Sequence, residues 1–404
     1  MPHVVFAAPM LSDNAFGMIE AAVALPQVQL SVVTHDGDHM LRHLGGRVGH
    51  WRVGNVMQVD QLVWATRALQ ERYGVVHRLY GAFEHLQVPL AEAREALGIA
   101  GMSVGVAMNF RDKARMKTAL RDAGLPCARH RLAATIEEAV AFAQTSGLPL
   151  VVKPPSGAGA ASTFRVDTIA QLRAALSKSP PAANDPVLLE EFVVGEEHSF
   201  ETVTINGTHV WHSLTHYYPT PLTVVENPWI QWSVVLPREV DDAGYDDIRQ
   251  AARQALDALG MQTGISHMEW FRRTDGSIAI SEVAARPPGA QITTLMSRAH
   301  DFNLVQEWSR AMIFDEFRVP PRKYAVGAAY LRGQGRGRVV AVHGVDEIQR
   351  SLGSLVVDYK MPQLGATPST SYEGDGFVIV QHPETRRVEE AVLKIISTIR
   401  VELG

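Results

Sequence analysis

Residues 267–289 read HMEWFRRTDGSIAISEVAARPPG, two runs of strand-forming residues on either side of Asp275-Gly276. The Asp-Gly pair is a strong signal for a hairpin with a two-residue turn. Counting outward from that turn predicts that Glu269 and Glu282 lie directly opposite each other. Two carboxylates about 5 Å apart on one face destabilise a sheet unless something compensates their charge. The hairpin therefore predicts an acidic pair that faces a bound cation.

Magnesium fits such a pair, because Mg²⁺ commonly takes one or two protein carboxylates together with substrate phosphates. We therefore predict Glu269 and Glu282 as metal ligands; the alternative is a solvent-exposed pair splayed apart in water. Arg286, four residues after Glu282, has the same strand parity and could hold a phosphate or carboxylate through two hydrogen bonds. His267, two residues before Glu269 and on the same face, is a candidate general base.

Length and composition narrow the class of protein. The 404 residues suggest two to four domains, and 46% hydrophobic with 20% charged residues is typical of a globular protein. The net charge of −5, without a basic run, argues against a nucleic-acid partner. One cysteine, Cys127, cannot form an internal disulfide and favours a reducing cytoplasm. No apolar stretch approaches the ~20 residues of a membrane helix, so we expect a cytoplasmic protein without a membrane partner.

The first hundred residues predict a parallel sheet. The apolar run HVVFAAP, the helical NAFGMIEAAVALP and the second apolar run VQLSVVTHD follow in β-α-β order. This order predicts a doubly wound α/β domain. No G-x-G-x-x-G follows the first strand, so an oxidoreductase that binds a dinucleotide there is the least favoured function.

Two lysines occupy positions suited to phosphate binding. Lys153 ends a predicted strand and is followed by PPSGAGAAS, whose small residues let backbone N–H groups approach a phosphate. Lys113 lies in NFRDKARMKTALRDAG, which predicts one amphipathic helix over residues 109–124. Taken singly, the first segment is more often an ordinary turn and the second lysine an exposed helix residue.

An acidic strand and an aromatic segment follow. In LLEEFVVGEEHSFE, strand alternation places Glu197, Ser199 and Glu201 on one face. Between residues 211 and 232, aromatic side chains are dense enough to form either sheet core or the wall of a substrate pocket. The predicted substrate contacts in this segment are Tyr217, Tyr218 and Trp229.

In combination these motifs resemble the ATP-grasp superfamily, and more narrowly its carboxylate–amine ligases (L-amino acid ligase-like) and biotin-carboxylase-like members. The order and spacing of the motifs carry the resemblance, which covers nearly the whole chain. It implies a multidomain fold of α/β and α+β type with an N-terminal doubly wound parallel domain and a small β-rich C-terminal domain. The implied domains are a pre-ATP-grasp domain, a lid subdomain, a large subdomain with the metal site and a C-terminal domain, at residues 1–109, 110–195, 196–318 and 319–404.

The resemblance also implies roles for individual residues. ATP phosphates would contact Lys113, Lys153 and a loop from Ser156 through Gly157 to Ser162. The adenine would lie near the side chain of Glu190 and the backbone of Glu191 and Val193, and Glu197 would hold the ribose. Catalytic roles fall to Arg286, which would steady the substrate carboxylate and its acyl phosphate, to Lys153 and to His267. Glu269 and Glu282 would bind Mg²⁺, with Mn²⁺ as a substitute.

The implied activity is ATP-dependent joining of a carboxylate to an amine, with amino-acid-like substrates, through an acyl phosphate. Two departures from the family keep alternatives open. Ala284 stands where many relatives have a metal-binding Asn, and the phosphate loop has only the glycines Gly157 and Gly159. A carboxylase, a small-molecule kinase and a nucleotide-binding protein without catalysis are therefore the rival interpretations. A homodimer is expected by analogy with relatives.

Overall fold

The computed structural model describes residues 1–44, 46–155 and 163–404. Its N-terminal part is a parallel sheet in the order β3-β2-β1-β4. The apolar runs form strands because both faces of the sheet are covered: the residues of β1 are all buried. The elements are β1 (His3–Ala7), α1 (Asp13–Val23), β2 (Gln29–Thr34), β3 (Val48–Arg52), α2 (Val59–Tyr73), β4 (Val76–Tyr80) and α3 (Gln87–Leu97), with one-turn or short 3₁₀ segments at Asp38–Leu44 and Glu84–Leu86.

The next segment forms a small antiparallel sheet in the order β5-β8-β6-β7, covered by two helices. The helix predicted over residues 109–124 is wrong as a single unit, because the chain breaks at Asp112. The Asp112 carboxylate accepts hydrogen bonds from the N–H groups of Ala114 and Arg115 at 2.9 Å and so caps a second helix. The elements are α4 (Val104–Arg111), α5 (Lys113–Asp122), β5 (His130–Ala133), α6 (Ile136–Ser146), β6 (Leu150–Lys153), β7 (Phe164–Val166), α7 (Ile169–Lys178) and β8 (Val187–Glu191).

The third segment supplies the long strands that form the floor of the site. After the hairpin the chain forms two helices rather than one, because it turns at Asp301 with a left-handed φ of 60°. The elements are β9 (Gly195–Ile205), β10 (Thr208–Tyr218), α8 (Pro221–Glu226), β11 (Ser233–Leu236), α9 (Asp246–Leu259), β12 (Gly264–Arg273), β13 (Ile278–Ala284), α10 (Ile292–His300) and α11 (Leu304–Phe314), with a 3₁₀ turn at Ala243–Tyr245.

The C-terminal segment is rich in strands, and part of it extends the central sheet, whose order is β13-β12-β9-β10-β11-β14-β18-β17. A second small sheet has the order β15-β19-β16. The last helix ends at Thr398, and a short strand follows it. The elements are β14 (Ala325–Leu331), β15 (Gly333–Gln334), β16 (Val339–His343), α12 (Val345–Leu352), β17 (Val356–Lys360), β18 (Gly376–His382), α13 (Thr385–Thr398) and β19 (Arg400–Leu403).

The hairpin of β12 and β13 pairs Glu269 with Glu282, as predicted, but by a different route. The turn has three residues rather than two, because Arg273 N–H donates to Ser277 O at 2.8 Å. Gly276 takes the left-handed φ of 83° that such a turn requires. A bulge between the turn and the acidic pair then shifts the register back by one residue.

One hydrophobic core joins the N-terminal domain to the central sheet. Phe6 and Tyr80 of the parallel sheet pack in the same cluster as Leu295 and Trp308. The rings of Tyr80 and Trp308 lie edge to face, with centroids 5.7 Å apart. In the residues described, every helix is too short or too polar to cross a bilayer.

Candidate active site

A cavity of about 360 Å³ lies between the small β5-β8-β6-β7 sheet and the central sheet. One part is lined from β6 and β8 and from the linker before β9. The middle is lined by charged side chains of β9, β12 and β13, and the far part by aromatic and aliphatic residues near α8 and Tyr372. A cavity of this size that combines an apolar wall with converging charges is typical of a small-molecule site.

Buried ion pairs lie on the small-sheet side of the cavity. Lys153, 8% exposed at the end of β6, places its Nζ 2.9 Å from Glu190 Oε1. Lys117 is fully buried in α5 and places its Nζ 3.3 Å from Glu190 Oε2. Burial alone would raise the pKa of Glu190, but the two ammonium groups lower it below its usual value. Glu190 therefore remains an ionised hydrogen-bond acceptor on the small-sheet side of the cavity.

Lys113 lies on the side of the cavity next to the acidic pair. It is the first residue of α5, and its backbone N–H donates to Pro155 O at 3.0 Å. Its ammonium pairs with Glu282 Oε1. The break in the helix at Asp112 sets the position of Lys113, because it makes this lysine the first residue of a new helix. The predicted loop residues Ser156, Gly157 and Ser162, and Gly159 with them, lie outside the described residues.

The acidic pair meets a third carboxylate on the neighbouring strand. Glu197 of β9 is 7% exposed, and burial together with Glu269 and Glu282 raises its pKa well above the usual value. Burial would also raise the pKa of Glu282, but Lys113 and Lys153 lower it well below its usual range. The site thus concentrates negative charge that a cation would relieve.

These acids fit a magnesium ion that is shared with a substrate. In residues 1–44, 46–155 and 163–404, no group of three or more His, Cys, Asp or Glu side chains could enclose a metal alone. The paired Glu269 and Glu282 nevertheless both line the cavity. Two carboxylates that need phosphate oxygens to complete the shell match the way Mg²⁺ is bound with nucleotides. Ala284 lies opposite His267 on these strands and offers no ligand atom.

His267 forms a dyad with a buried glutamate. Its Nδ1 lies 2.8 Å from Oε1 of Glu201, a residue 0% exposed, and its Nε2 lies 3.7 Å from Glu269 Oε1. Burial alone would lower the pKa of His267, but the hydrogen bonds to Glu201 and Glu269 raise it to about 9. With its pKa raised in this way, His267 would hold a proton at neutral pH and would have to lose it before acting as a base.

Arg286 is held by a residue of the N-terminal domain. Its Nε donates to Glu84 Oε2 at 2.6 Å and its Nη1 donates to Pro287 O at 2.9 Å. Burial would lower the pKa of the guanidinium, but Glu84 and the nearby acids raise it. Glu84 follows β4, at the carboxyl edge of the parallel sheet where such domains place functional side chains. Arg286 is thus fixed in orientation beside the acidic pair.

Two further predicted residues lie where β8 ends and the chain leads into β9. Glu191 and Val193 both line the cavity. The Glu191 carboxylate is taken up by Arg129 at 2.6 Å and Arg273 at 2.7 Å, so its side chain is committed to ion pairs. Its predicted contribution was through the backbone, and Val193 lies in the irregular linker between β8 and β9.

The structure separates the three aromatic residues predicted to contact substrate. Tyr217 is 5% exposed and lines the cavity. Tyr218 points to the other face of β10 and is 40% exposed, and Trp229 is 61% exposed. Neither belongs to the described lining of the cavity. Strand alternation explains the first difference, and the second reflects the turn after α8, which brings Trp232 inward instead.

Sequence reasoning missed Lys117, Glu84, Trp232 and Tyr372, and it placed Glu201 on the same face as Glu197 without giving it a role. A usable signal existed for Lys117, because it follows Lys113 by one helical turn. Glu84 and Tyr372 reach the site from other domains, and no local pattern marks such contacts.

Comparisons with known proteins match one domain of the chain and show which proteins it resembles. Residues 118–301 match the ATP-grasp domain family. Among curated proteins, the chain is 25% identical over 232 residues to the L-arginine-specific L-amino acid ligase of Bacillus subtilis, across 56% of this chain and 54% of that protein. It is 26% identical over 241 residues to the alanine–anticapsin ligase of Bacillus subtilis, across 54% and 50%. The chain spans about half the length of these relatives.

Solved structures agree over the full length. The L-amino acid ligase from Bacillus licheniformis superposes with a TM-score of 0.77 at 19% identity, covering 100% of this chain and 99% of that one. The N5-carboxyaminoimidazole ribonucleotide synthetase from Thermotoga maritima gives 0.71 at 16% identity, covering 100% of both. At these identities the likeness shows the fold. Residues 118–301 thus match the ATP-grasp domain, and the fold class predicted from the sequence is confirmed.

Proposed function

We propose that the protein is an ATP- and Mg²⁺-dependent ligase that joins a carboxylate to an amine. Both substrates are small and amino-acid-like, and the products are an amide, ADP and phosphate. The observation that carries this proposal is the convergence of three cations, Lys113, Lys153 and Arg286, on the cavity that holds the Glu269–Glu282 pair. The ligases of Bacillus subtilis among the curated relatives support the same reaction type.

In this proposal the nucleotide lies between the lid and the central sheet. The Glu190 carboxylate accepts from the adenine amino group, and the backbone of Glu191 and Val193 completes the adenine contacts. Glu197 holds the ribose hydroxyls, and Lys113 and Lys153 contact the phosphates. Each of these residues lines the described cavity. Ser156, Gly157 and Ser162 are proposed to close over the phosphates.

Glu269 and Glu282 would hold Mg²⁺, and Mn²⁺ could replace it. When bound, the cation would neutralise the phosphate charge and orient the γ-phosphate for in-line transfer. The chain's own contribution is positioning. Arg286, held by Glu84, fixes the carboxylate substrate, and the two lysines lie where negative charge develops.

The reaction follows from these positions. A carboxylate oxygen attacks the γ-phosphorus as the bond to the ADP oxygen breaks, which gives an acyl phosphate. The amine nitrogen then attacks the acyl carbon, the C–O bond to phosphate breaks with its electron pair, and nitrogen releases a proton. His267 is the proposed acceptor of that proton, once it has given up its own. Exclusion of water from the cavity during turnover would protect the acyl phosphate from hydrolysis.

ADP release, measured over pairs of carboxylates and amines, tests the function. Release of ADP and phosphate that requires both partners is expected. Turnover with a carboxylate or bicarbonate alone would instead establish a kinase or a carboxylase. Binding of MgATP without turnover on any pair would establish a nucleotide-binding protein, the interpretation that Ala284 favours. A cytoplasmic location and a homodimer, without nucleic-acid or membrane partners, complete the proposal.

A further inference from the structure

The part of the cavity beyond Arg286 has a distinct chemistry. Its wall is formed by Tyr217 of β10, Leu222 of α8, Trp232, Ile292 of α10 and Tyr372. These five side chains carry no charge themselves, and their polar groups are the hydroxyls of Tyr217 and Tyr372 and the indole N–H of Trp232. A charged substrate group placed here would lose its hydration without a partner.

The aromatic rings form one connected cluster. Trp232 lies 4.9 Å from Tyr372 at 79° and 5.3 Å from Tyr217 at 72°, both edge to face. Its other face stacks on Tyr330 at 4.9 Å and 23°. Trp232 is 1% exposed, and its Nε1 donates to Pro219 O at 2.9 Å. The tryptophan is therefore a fixed platform, and Tyr217 and Tyr372 present the surface that a ligand would meet.

This wall comes from three separate parts of the chain. Tyr372 belongs to an irregular C-terminal segment between β17 and β18, Trp232 precedes β11, and Leu222 lies in the short helix α8. Arg286 and Glu269 line the same cavity. A substrate whose carboxylate contacts Arg286 can therefore place its side chain against this wall. An apolar side chain binds in this apolar recess more favourably than water does, because burial of apolar surface lowers the free energy.

We propose that this recess is a side-chain subsite, and that the carboxylate substrate is an amino acid with a large apolar or aromatic side chain. The inference rests on the proposed function and deepens it. Tyr372 acts as a specificity residue supplied by the C-terminal segment, and Leu222 closes the opposite wall. The substrate is selected by burial of its side chain, while Arg286 and the acidic pair handle its reacting carboxylate.

Hydroxylamine isolates the carboxylate half of the reaction. It replaces the amine, attacks the acyl carbon and releases phosphate, so hydroxamate forms whenever a carboxylate has been activated. The wild-type protein is expected to show a kcat/KM at least tenfold higher for methionine than for glutamine, and for leucine than for aspartate, because each pair is similar in size. Both amino acids of a pair meet the same ATP and metal site.

Variants test the wall itself. Tyr372→Ala and Leu222→Ala should each reduce the methionine-to-glutamine ratio about tenfold while leaving the Kd for MgATP unchanged, which also shows that they fold. Matched controls are Tyr218→Ala and Trp229→Ala, which remove exposed aromatic residues of the same segment. These should leave the ratio unchanged.

The outcomes separate the two levels of the proposal. Hydroxamate formed preferentially from glutamine and aspartate, or a ratio that Tyr372→Ala and Leu222→Ala leave intact, would overturn the subsite while the ligase function stands. Absence of both hydroxamate and ADP for every carboxylate would overturn the proposed function, and the subsite with it.

Discussion

Lys117 illustrates what a single buried charge does in this molecule. It is 0% exposed, and its Nζ donates to Ser281 O at 2.7 Å while pairing with Glu190 at 3.3 Å. Ser281 is next to Glu282, on the bulged strand of the hairpin. One ammonium group therefore connects Glu190 to the backbone that presents a predicted metal ligand.

Replacing Lys117 by Met should weaken both connections. We expect a loss of about 3 kcal/mol in the free energy of unfolding, because Glu190 loses one of its two buried partners and the Ser281 carbonyl loses its donor. Urea denaturation measures the first effect, and calorimetry should show MgATP binding at least tenfold weaker. Arg121→Met, an exposed change on the same helix, is the control. Equal stability and affinity in both variants would contradict the connecting role.

A substitution at Glu282 should affect turnover much more than nucleotide binding. Glu282→Gln keeps the size of the side chain but removes the charge that faces Lys113 and the predicted cation. We expect kcat to fall at least 100-fold, since charge placed at the transferring phosphate is among the largest catalytic contributions. Nucleotide binding should stay measurable by calorimetry. Glu196→Gln, a change at an exposed residue of β9, should retain full activity, and wild-type rates in Glu282→Gln would refute the metal assignment.

At the scale of elements, the hairpin shows how far local sequence signals reach. The facing of Glu269 and Glu282 was predicted, but from a two-residue turn that the structure replaces with three residues and a bulge. The two departures cancel, because each shifts the register by one residue. The carbonyl of Ser281, at the bulge, accepts a hydrogen bond from Lys117 of a distant helix, and no rule based on the turn sequence could contain that contact.

Asp112 is a helix-capping residue that the continuous apolar periodicity of residues 109–124 concealed. The apolar pattern continues from α4 into α5, but the aspartate interrupts the helix by capping the second one. Asp112→Ala should lower the free energy of unfolding by about 1 kcal/mol, because two N–H groups lose their acceptor. It should also weaken nucleotide binding, since Lys113 begins the capped turn. Chemical denaturation and calorimetry measure these effects, and Asp122→Ala at the other end of α5 should show neither.

Two histidines of β9 and β10, on the face of the sheet away from the cavity, make the free energy of unfolding depend on pH. His198 and His216 share a contact of 2.8 Å between their Nδ1 atoms, and Tyr245 OH lies 3.0 Å from His216 Nε2. Burial lowers the pKa of His198 to about 3 and that of His216 to about 4, and Arg272 adds to the first shift. Both are therefore neutral in the folded protein under mildly acidic conditions.

The sign of the resulting effect follows from proton binding. Unfolded histidines titrate near 6.5, so between about pH 4 and 6.5 the unfolded chain binds more protons than the folded one. The free energy of unfolding is therefore unaffected by the pair above pH 6.5 and falls as the pH is lowered. At pH 5 the loss is about 2 kcal/mol per histidine. Urea midpoints at pH 7, 6 and 5 should show this decline. His216→Gln should make it clearly shallower, and an unchanged slope in that variant would contradict the assignment.

For the whole molecule, the fold class and the order of its parts could be predicted because each part carries its own periodicity and turn signals. The contacts between parts could not. The C-terminal segment places β14, β18 and β17 in the central sheet, Glu84 crosses from the N-terminal domain to Arg286, and Tyr372 reaches the cavity from an irregular segment. These contacts join residues far apart in sequence, where neither hydrophobic spacing nor turn chemistry carries information.

Because the cavity is built from all of these parts, a ligand bound there should stabilise the chain as a whole. A nucleotide that binds the folded state raises the free energy of unfolding by about 2.7 kcal/mol at 100 times its Kd. MgATP should therefore raise the melting temperature by several degrees, measured by calorimetry. The increase should mostly disappear with EDTA, since ATP alone would add its own charge to Glu197, Glu269 and Glu282. Glu282→Gln should reduce the difference between the two conditions. An equal shift with and without EDTA in the wild-type protein would show that the acids do not share a cation with the nucleotide.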